Sequence, residues 1–144
     1  MMTQNNTRSG RCLCGKVTYT FAPAELEIDI CHCGMCRRWG GGPGFSVKAA
    51  GEADVTGGDY VTLYKSSEWG TRHFCRACGT HLFYSAPVAN YFGVSAGTID
   101  DLSGLAVTTE IFIDCKPDAY DITKPTQKLT EAEFLAMIAA SGTE

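Results

Sequence analysis

The sequence predicts a mainly β protein, built from antiparallel sheets with a short helix near its C-terminal end. Short runs with period-two alternation of apolar residues recur along the chain, and glycine or proline separates them. A helix-start signal stands out only near the end. The 144 residues are 44% hydrophobic and 19% charged, which is typical of a globular protein long enough to bury a core without disulfides.

Seven segments are candidate strands. In three of them alternate residues are apolar: Val17-Tyr19-Phe21, Leu26-Ile28-Ile30 and Phe45-Val47-Ala49. The other four are residues 60–64, 80–84, 91–96 and 107–114, with turn signals such as Gly57-Gly58-Asp59 and Gly97-Thr98 between them. Since side chains alternate between the two faces of a strand, each run predicts one buried face.

One helix is expected, over about residues 130–141. Thr130 and Glu133 have the spacing of a capping box, in which each side chain satisfies a backbone N–H of the first turn. Apolar residues follow at Phe134, Leu135 and Ile138. We expect this helix to pack one apolar stripe on a sheet.

No repeat, low-complexity tract or long linker divides the sequence, so we expect one domain over residues 1–144, with about 1–10 as a flexible N-terminal tail. The 16 acidic and 12 basic side chains give a net charge of -4, without the basic footprint that nucleic acid or an anionic membrane requires. No run of about 18 apolar residues suits a membrane span, and residues 1–8 lack the apolar stretch of a secretory signal. These features favour a cytoplasmic location, where cysteines stay reduced.

Seven of the eight cysteines form three close groups. They are Cys12 with Cys14, Cys31 with Cys33 and Cys36, and Cys75 with Cys78. Residues i and i+2 of a strand point to the same face, so the sulfurs of such a pair can converge on one ion. A Cys-x-x-Cys turn followed by glycine aims both sulfurs inward in the same way. In a reducing compartment this spacing favours metal over disulfides, and it favours zinc over iron because no ferredoxin spacing is present.

The two pairs together supply four thiolates, the usual ligand set of a closed structural zinc site. The triplet supplies three, and an open fourth position is typical of a catalytic zinc. The spacing favours this partition, with two zinc ions per chain, although other pairings also fit it. Cys115 matters because a fourth thiolate would close the triplet. Its strand parity with Ile111 and Ile113 favours a buried core cysteine over a ligand.

Four motifs follow one another in the sequence. They are Cys12-Leu13-Cys14-Gly15-Lys16-Val17, Cys31-His32-Cys33-Gly34-Met35-Cys36-Arg37-Arg38, Arg72-His73-Phe74-Cys75-Arg76-Ala77-Cys78-Gly79-Thr80 and Gly97-Thr98-Ile99-Asp100-Asp101. In these motifs the chain resembles the family of glutathione-dependent formaldehyde-activating enzymes, which shares its domain with centromere protein V. The resemblance spans most of the chain.

This resemblance implies a β-tent fold of several coiled antiparallel sheets around zinc. It implies a structural zinc on residues 12, 14, 75 and 78 and a catalytic zinc on residues 31, 33 and 36. The implied reaction is condensation of formaldehyde with glutathione to S-hydroxymethylglutathione, which is a carbon–sulfur lyase reaction in the reverse sense. The implied partners are a small thiol such as glutathione and a small aldehyde.

Two positions depart from the pattern of the family. Relatives often carry a tryptophan just before the residue matching Tyr120, where this chain has Ala119. A histidine is expected before Ile111, where this chain has Glu110. If these positions line the substrate pocket, the departures bear on the glutathione assignment and not on the zinc assignment.

The triplet suits a thiol better than water. One zinc ion and three thiolates carry a net charge of -1, which makes the metal a weak Lewis acid towards water and a better partner for soft sulfur. A bound thiol would have a lowered pKa and could add to a small carbonyl carbon. Arg37, Arg38 and Arg72 are candidates to offset the charge and hold a substrate carboxylate. The alternative for them is charge balance around the ligands or a surface position.

The remaining candidates are interpreted structurally. His32 lies between two ligands and should point away from their face, while His73 and His81 flank the second turn in the same manner, so none receives a catalytic role. Residues 40–44 (GGGPG) lack the following helix with lysine of a phosphate loop, which favours a flexible loop near the triplet. Trp39 is close enough in sequence to Cys36 to reach a pocket there.

Two other classes of function fit the cysteine pattern. The first is a non-catalytic zinc-binding structural or interaction module, in which the triplet holds a metal without turnover. The second is a thiol redox sensor, in which the triplet oxidises and releases its metal. A thiol-dependent spectral change after cobalt substitution would distinguish an enzyme from both.

Overall fold

A computed structural model describes residues 6–123, 127 and 129–141, which form ten strands and two α-helices. The strands are β1 (Arg8–Arg11), β2 (Thr18–Phe21), β3 (Glu27–Cys31), β4 (Gly44–Lys48), β5 (Asp54–Thr56), β6 (Val61–Lys65), β7 (Thr71–Cys75), β8 (His81–Ala86), β9 (Tyr91–Ser95) and β10 (Ala106–Ile111). The helices are α1 (Gly34–Gly40) and α2 (Glu131–Ser141). The predicted mainly β class with a C-terminal helix is confirmed.

The strands form two sheets. The smaller has the order β1-β2-β5, and the larger has the order β10-β3-β4-β9-β8-β7-β6. Neighbouring strands run antiparallel, as predicted, except that β10 pairs with β3 in parallel. A long stretch of chain separates β3 from β10, so no tight hairpin forces the two strands to be antiparallel.

The buried core contains residues from both sheets. Tyr19 and Phe21 of β2 are each 3% exposed, while the residues on either side of Tyr19 face solvent, as the period-two pattern predicts. Val47, Val94 and Phe83 are cross-strand neighbours in the larger sheet and belong to the same core cluster. One face of the larger sheet is therefore committed to the core.

The opposite face of the larger sheet carries the functional candidates. Arg72 of β7 pairs with Tyr84 of β8, which pairs with Gly93 of β9. Cys31, at the end of β3, pairs with Gly44 of β4. Since side chains alternate along each strand, these positions point away from the core face.

Three strands lie outside the predicted segments. β1 pairs with β2 over residues 8–11, so residues 8–10 of the predicted flexible tail are part of a sheet, and residues 1–5 of that tail lie outside the described residues. β5 has no buried residue, and β7 buries only Arg72 and Cys75. Neither strand shows the alternation of apolar residues by which the other strands are recognised.

Helix α2 begins at the predicted capping box. The Glu133 N–H donates to Thr130 Oγ1 at 3.0 Å, and the Thr130 N–H donates to Glu133 Oε1 at 2.9 Å. The expected apolar stripe is not buried at Leu135, which is 55% exposed, and the Phe134 side chain lies outside the described residues. Apolar residues occupy consecutive positions 134–138, so they surround the helix rather than form one stripe. Within the described ranges no helix is both long and apolar enough to cross a membrane.

Candidate metal centres

The four paired cysteines converge on one point. The Sγ atoms of Cys12, Cys14, Cys75 and Cys78 all lie within 4.8 Å of one another. Cys14 Sγ is 3.6 Å from Cys12 Sγ and 3.9 Å from Cys75 Sγ. Tetrahedral zinc with Zn–S distances of about 2.3 Å separates its sulfurs by about 3.8 Å, so these four side chains fit such an ion. We call this group the four-cysteine cluster.

Two tight turns position these sulfurs. Gly15 directly follows Cys14, and Gly79 directly follows Cys78. They adopt left-handed φ values of 82° and 84°, so the chain reverses there without the strain that a side chain would cause. The Gly79 N–H donates to the carbonyl of Cys75 at 2.6 Å, and the Val17 N–H lies 3.4 Å from Cys12 Sγ. Hydrogen bonds from the Thr80 hydroxyl, 3.2 Å from Cys78 Sγ, and then from the backbone of Thr80 and Cys14 lower the pKa of Cys78 to about 5.

The four-cysteine cluster joins the two sheets. Cys12 and Cys14 follow β1 of the smaller sheet, while Cys75 ends β7 of the larger sheet and Cys78 lies in the turn between β7 and β8. Cys12 and Cys75 are 0% exposed and belong to the hydrophobic core. Cys14 is exposed, so a metal held here would cross-link the sheets at the border of the core.

The second group, which we call the triplet, lies where β3 of the larger sheet leads into α1. Cys31 ends β3, Cys33 is the N-cap of α1, and Cys36 lies in the first turn of α1. Their Sγ atoms lie within 4.8 Å of one another, and the Cys36 N–H lies 3.3 Å from Cys33 Sγ. Among the described residues no other histidine, cysteine, aspartate or glutamate joins this group.

Cys115 belongs to neither cluster. The sequence predicts a buried cysteine in a strand with Ile111 and Ile113. The structure instead ends β10 at Ile111 and places Cys115, exposed, in the 3-10 turn Ile113–Cys115. The strand parity fails because Phe112 adopts a left-handed φ of 54°, which reverses the chain direction.

Arg72 is the predicted arginine that the structure brings to the triplet. Its two Nη atoms lie 3.8 and 4.0 Å from Cys36 Sγ, and the residue is only 8% exposed. The pKa of Cys36 is lowered to about 5 by hydrogen bonds from Cys31 foremost, then from Cys33 and Arg72, and by the positive charge of Arg72. The pKa of Cys31 moves in the opposite direction, because the neighbouring Cys36 holds the negative charge.

The other two candidate arginines lie in the last turn of α1. Arg37 directs its Nε towards the backbone carbonyl of His32 at 3.3 Å, and Arg38 is exposed. Arg37 therefore ties α1 to the segment between Cys31 and Cys33.

His32 occupies a buried site that sequence reasoning missed. Its side chain is 0% exposed, with Nδ1 2.8 Å from the Tyr120 hydroxyl and Nε2 2.8 Å from Glu110 Oε1. Its backbone N–H donates to the carbonyl of Ile111 at 3.1 Å. The imidazole thus points away from the triplet sulfurs, as predicted, and its hydrogen bond to Glu110 links the end of β3 to the neighbouring strand β10. In the sequence, this contact is signalled only by the departures from the family pattern at Glu110 and just before Tyr120.

Trp39 lies beside the triplet, as its position after Cys36 suggests. Its ring is 4.7 Å from that of His81 and stacks on Tyr64 at 5.8 Å. His73 lies against Phe83 on the core side, where burial lowers its pKa. The histidines of the second turn therefore pack against aromatic rings and contribute no ligand to either group.

The glycine-rich loop 40–44 borders the triplet, as expected. Gly41 forms the C-cap of α1 with a φ of 84°, and its N–H donates to the carbonyl of Arg37 at 2.7 Å. A Cβ atom at Gly44 would lie 3.5 Å from Cys36 Sγ. The loop therefore reverses the chain directly beside the sulfurs.

Fold and site together define a mainly β protein with two cysteine clusters that could hold metal ions, as zinc sites do. Residues 7–115 match the model of the family described as glutathione-dependent formaldehyde-activating enzyme. The chain belongs to this family, as its motifs predict.

Two relatives agree with this assignment, and one solved structure is similar in fold. A Schizosaccharomyces pombe protein named as an uncharacterized lyase is 28% identical over 130 residues, covering 90% of this chain and 95% of its own. A Halomonas elongata protein, provisionally named as a glutathione-dependent formaldehyde-activating enzyme, is 29% identical over 127 residues, covering 78% of this chain and 79% of its own. A crystal structure of a Rhodobacter sphaeroides protein is similar in fold, with a TM-score of 0.57 and 24% identity, covering 69% of this chain and 99% of that one.

Proposed function

We propose that the chain is a zinc-dependent carbon–sulfur lyase that handles a thiol adduct such as S-hydroxymethylglutathione. Family membership and the names of two relatives, one as a lyase and one as a formaldehyde-activating enzyme, support an enzyme. The observation that carries the proposal is the triplet, in which three sulfurs converge and no fourth side chain of the described residues joins them. That arrangement suits an open catalytic site, whereas four converging sulfurs suit a closed structural one.

The donor set of the triplet fits zinc and a thiol. Zinc held by three thiolates would lower the pKa of a thiol bound beside them and favour its sulfur over water. The reaction needs no oxidant. In the lyase direction the carbon–sulfur bond breaks, the sulfur leaves with the bonding electrons, and the hydroxyl proton is released as formaldehyde forms. In the condensing direction the thiolate sulfur adds to the aldehyde carbon, and the oxygen takes up a proton.

The protein's own part in this reaction is placement. Cys31 is fixed at the end of a strand and Cys33 and Cys36 at the start of α1, so the reacting sulfur would meet a rigid set of ligands. The rings of Trp39 and Tyr84 both lie near the Arg72 guanidinium next to Cys36 and would limit the access of water. Arg38, exposed on α1, is the candidate for a substrate carboxylate.

The proposal extends to residues 1–144 as a single domain with two zinc ions, working in a reducing cytoplasm. A reducing compartment would keep the cysteines as ligands, and the described residues have them all as free thiols. The partners would be a small thiol such as glutathione and a small aldehyde.

The test combines metal content with thiol binding and turnover. Purified protein is expected to contain two zinc ions, and Cys33→Ser is expected to keep one. After cobalt substitution, glutathione should change the thiolate-to-cobalt absorption of the intact protein and not of Cys33→Ser. Exchange spectroscopy should show faster interconversion of formaldehyde and S-hydroxymethylglutathione with the intact protein only. If the cobalt protein does not respond to glutathione, the triplet is a structural site and the proposal fails.

A further inference from the structure

Arg72 is a buried cation without a carboxylate. The residue is 8% exposed and lies on β7, next to the edge strand β6 of the larger sheet. Within the part of the chain that the structure describes, the one ion pair joins His32 and Glu110, and no carboxylate lies within reach of Arg72. Removing a guanidinium from water is unfavourable unless an anion and hydrogen bonds replace the lost solvation. Something else must therefore balance this charge.

The surroundings of Arg72 fix its orientation. Its Nε donates to Ser66 Oγ at 3.1 Å, and its guanidinium carbon lies 4.9 Å from the centre of the Tyr84 ring and 5.8 Å from that of Trp39. A planar guanidinium held by rings and a hydroxyl has little freedom to turn. Both Nη atoms are thereby held towards Cys36 Sγ, at 3.8 and 4.0 Å.

We propose that Arg72 is a positioning residue whose guanidinium is the counter-ion of the triplet and so permits an anionic thiol to bind beside Cys36. This inference rests on the proposed function. One zinc ion with three thiolates carries -1, and Arg72 brings the total to zero. A thiolate then enters a neutral site instead of an anionic one, which removes the repulsion that would oppose its binding.

Three substitutions test the role of the Arg72 charge, and a fourth is the control. Arg72→Gln removes the charge, and Arg72→Lys keeps it without the planar fork. Ser66→Ala removes the hydroxyl that orients the guanidinium. Arg76→Gln is the matched control, since Arg76 is exposed and directs its Nε to the carbonyl of Asp59 on the surface. All are loaded with cobalt and titrated with glutathione, and the absorption of the thiolate–cobalt bond gives Kd.

Arg72→Gln is expected to raise the Kd for glutathione at least tenfold, Arg72→Lys to recover most of that loss, and Arg76→Gln to leave Kd unchanged. Ser66→Ala should raise Kd at least threefold, and it carries the test alone if Arg72→Gln does not fold. Zinc competition with a chromophoric chelator should show weaker binding at the triplet in Arg72→Gln only.

The outcomes separate this inference from the proposed function. Equal Kd values for the intact protein and the folded Arg72→Gln variant would overturn the role of Arg72 and leave the lyase proposal in place. A change of Kd that is as large in Arg72→Lys as in Arg72→Gln would show that shape and not charge matters, and would also overturn it. No response of the intact cobalt protein would overturn the proposed function itself.

Discussion

Loss of one sulfur from the four-cysteine cluster should destabilise the whole protein. Cys78→Ser is the informative change, because Cys78 is partly exposed and the oxygen of serine replaces its sulfur with little loss of packing. The other three sulfurs would remain within 4.8 Å of one another. The substitution therefore reports ligation and not the core.

The magnitude follows from the ligand count. A structural zinc site contributes about 10 to 16 kcal/mol, and one ligand of four carries about a quarter of that, or about 2.5 to 4 kcal/mol. For a chain of this size about 3 kcal/mol corresponds to a fall in Tm of about 6 to 12 °C. Since a typical domain has only about 5 to 15 kcal/mol of stability, a partly insoluble product is also expected.

Thermal unfolding of the zinc-loaded proteins measures this effect. Cys115→Ser is the matched control, because Cys115 is exposed and belongs to neither cluster, and its Tm should stay within about 2 °C of the parent. Cys33→Ser should fold and lose one zinc ion. The assignment of a structural and a catalytic cluster would be wrong if Cys78→Ser had the same Tm as Cys115→Ser. It would also be wrong if Cys33→Ser were as unstable as Cys78→Ser.

Three further predictions concern the scaffold. Gly57→Ala and Gly41→Ala both place alanine at a left-handed φ, which costs about 1 to 2 kcal/mol. The new methyl group at Gly57 also overlaps a backbone carbonyl, whereas the one at Gly41 meets no atom. Urea unfolding should therefore show a loss of stability that is larger for Gly57→Ala by at least about 1 kcal/mol. Burial raises the pKa of Tyr19 to about 12, so as the pH rises the unfolded chain loses this proton before the folded chain does. The free energy of unfolding, compared with that of Tyr19→Phe, should therefore be constant below pH 10 and fall by roughly 2 to 3 kcal/mol between pH 10 and 12. Glu110→Ala leaves the buried Nε2 of His32 without its acceptor and should cost about 1 to 3 kcal/mol in urea, whereas Glu110→Gln should cost less.

The strands that can be predicted from sequence are those with one apolar face. β2 shows the reason, since its residues alternate between core and solvent and the sequence repeats that alternation. β5 and β7 escape such reasoning because their burial is not periodic. Helix α1 is missed for a different reason. It has seven residues, begins and ends with glycine, and is stabilised by the cysteine that caps it.

The convergence of sulfurs within each close pair and within the triplet was predictable because it is local, whereas the joining of the two pairs was favoured by ligand count alone. Pairs at i and i+2 or i and i+3 place their sulfurs together whatever the rest of the fold does, and both groups form as expected. Contacts between distant segments were not predictable. The approach of Arg72 to Cys36 depends on strand order, and the buried contact of His32 with Glu110 depends on a parallel pairing that no local signal announces.

The spacing of the ligands along the chain has a consequence for biosynthesis. The triplet lies within residues 31–36, whereas Cys14 and Cys75 of the other group are 61 positions apart. A nascent chain that has emerged as far as residue 36 already displays every sulfur of the triplet and only half of the other set. On the proposed function, the first zinc ion captured during translation would therefore go to the triplet, and the ion that joins the sheets would arrive last. A cell short of zinc would then accumulate aggregated chains before it accumulated folded but inactive ones.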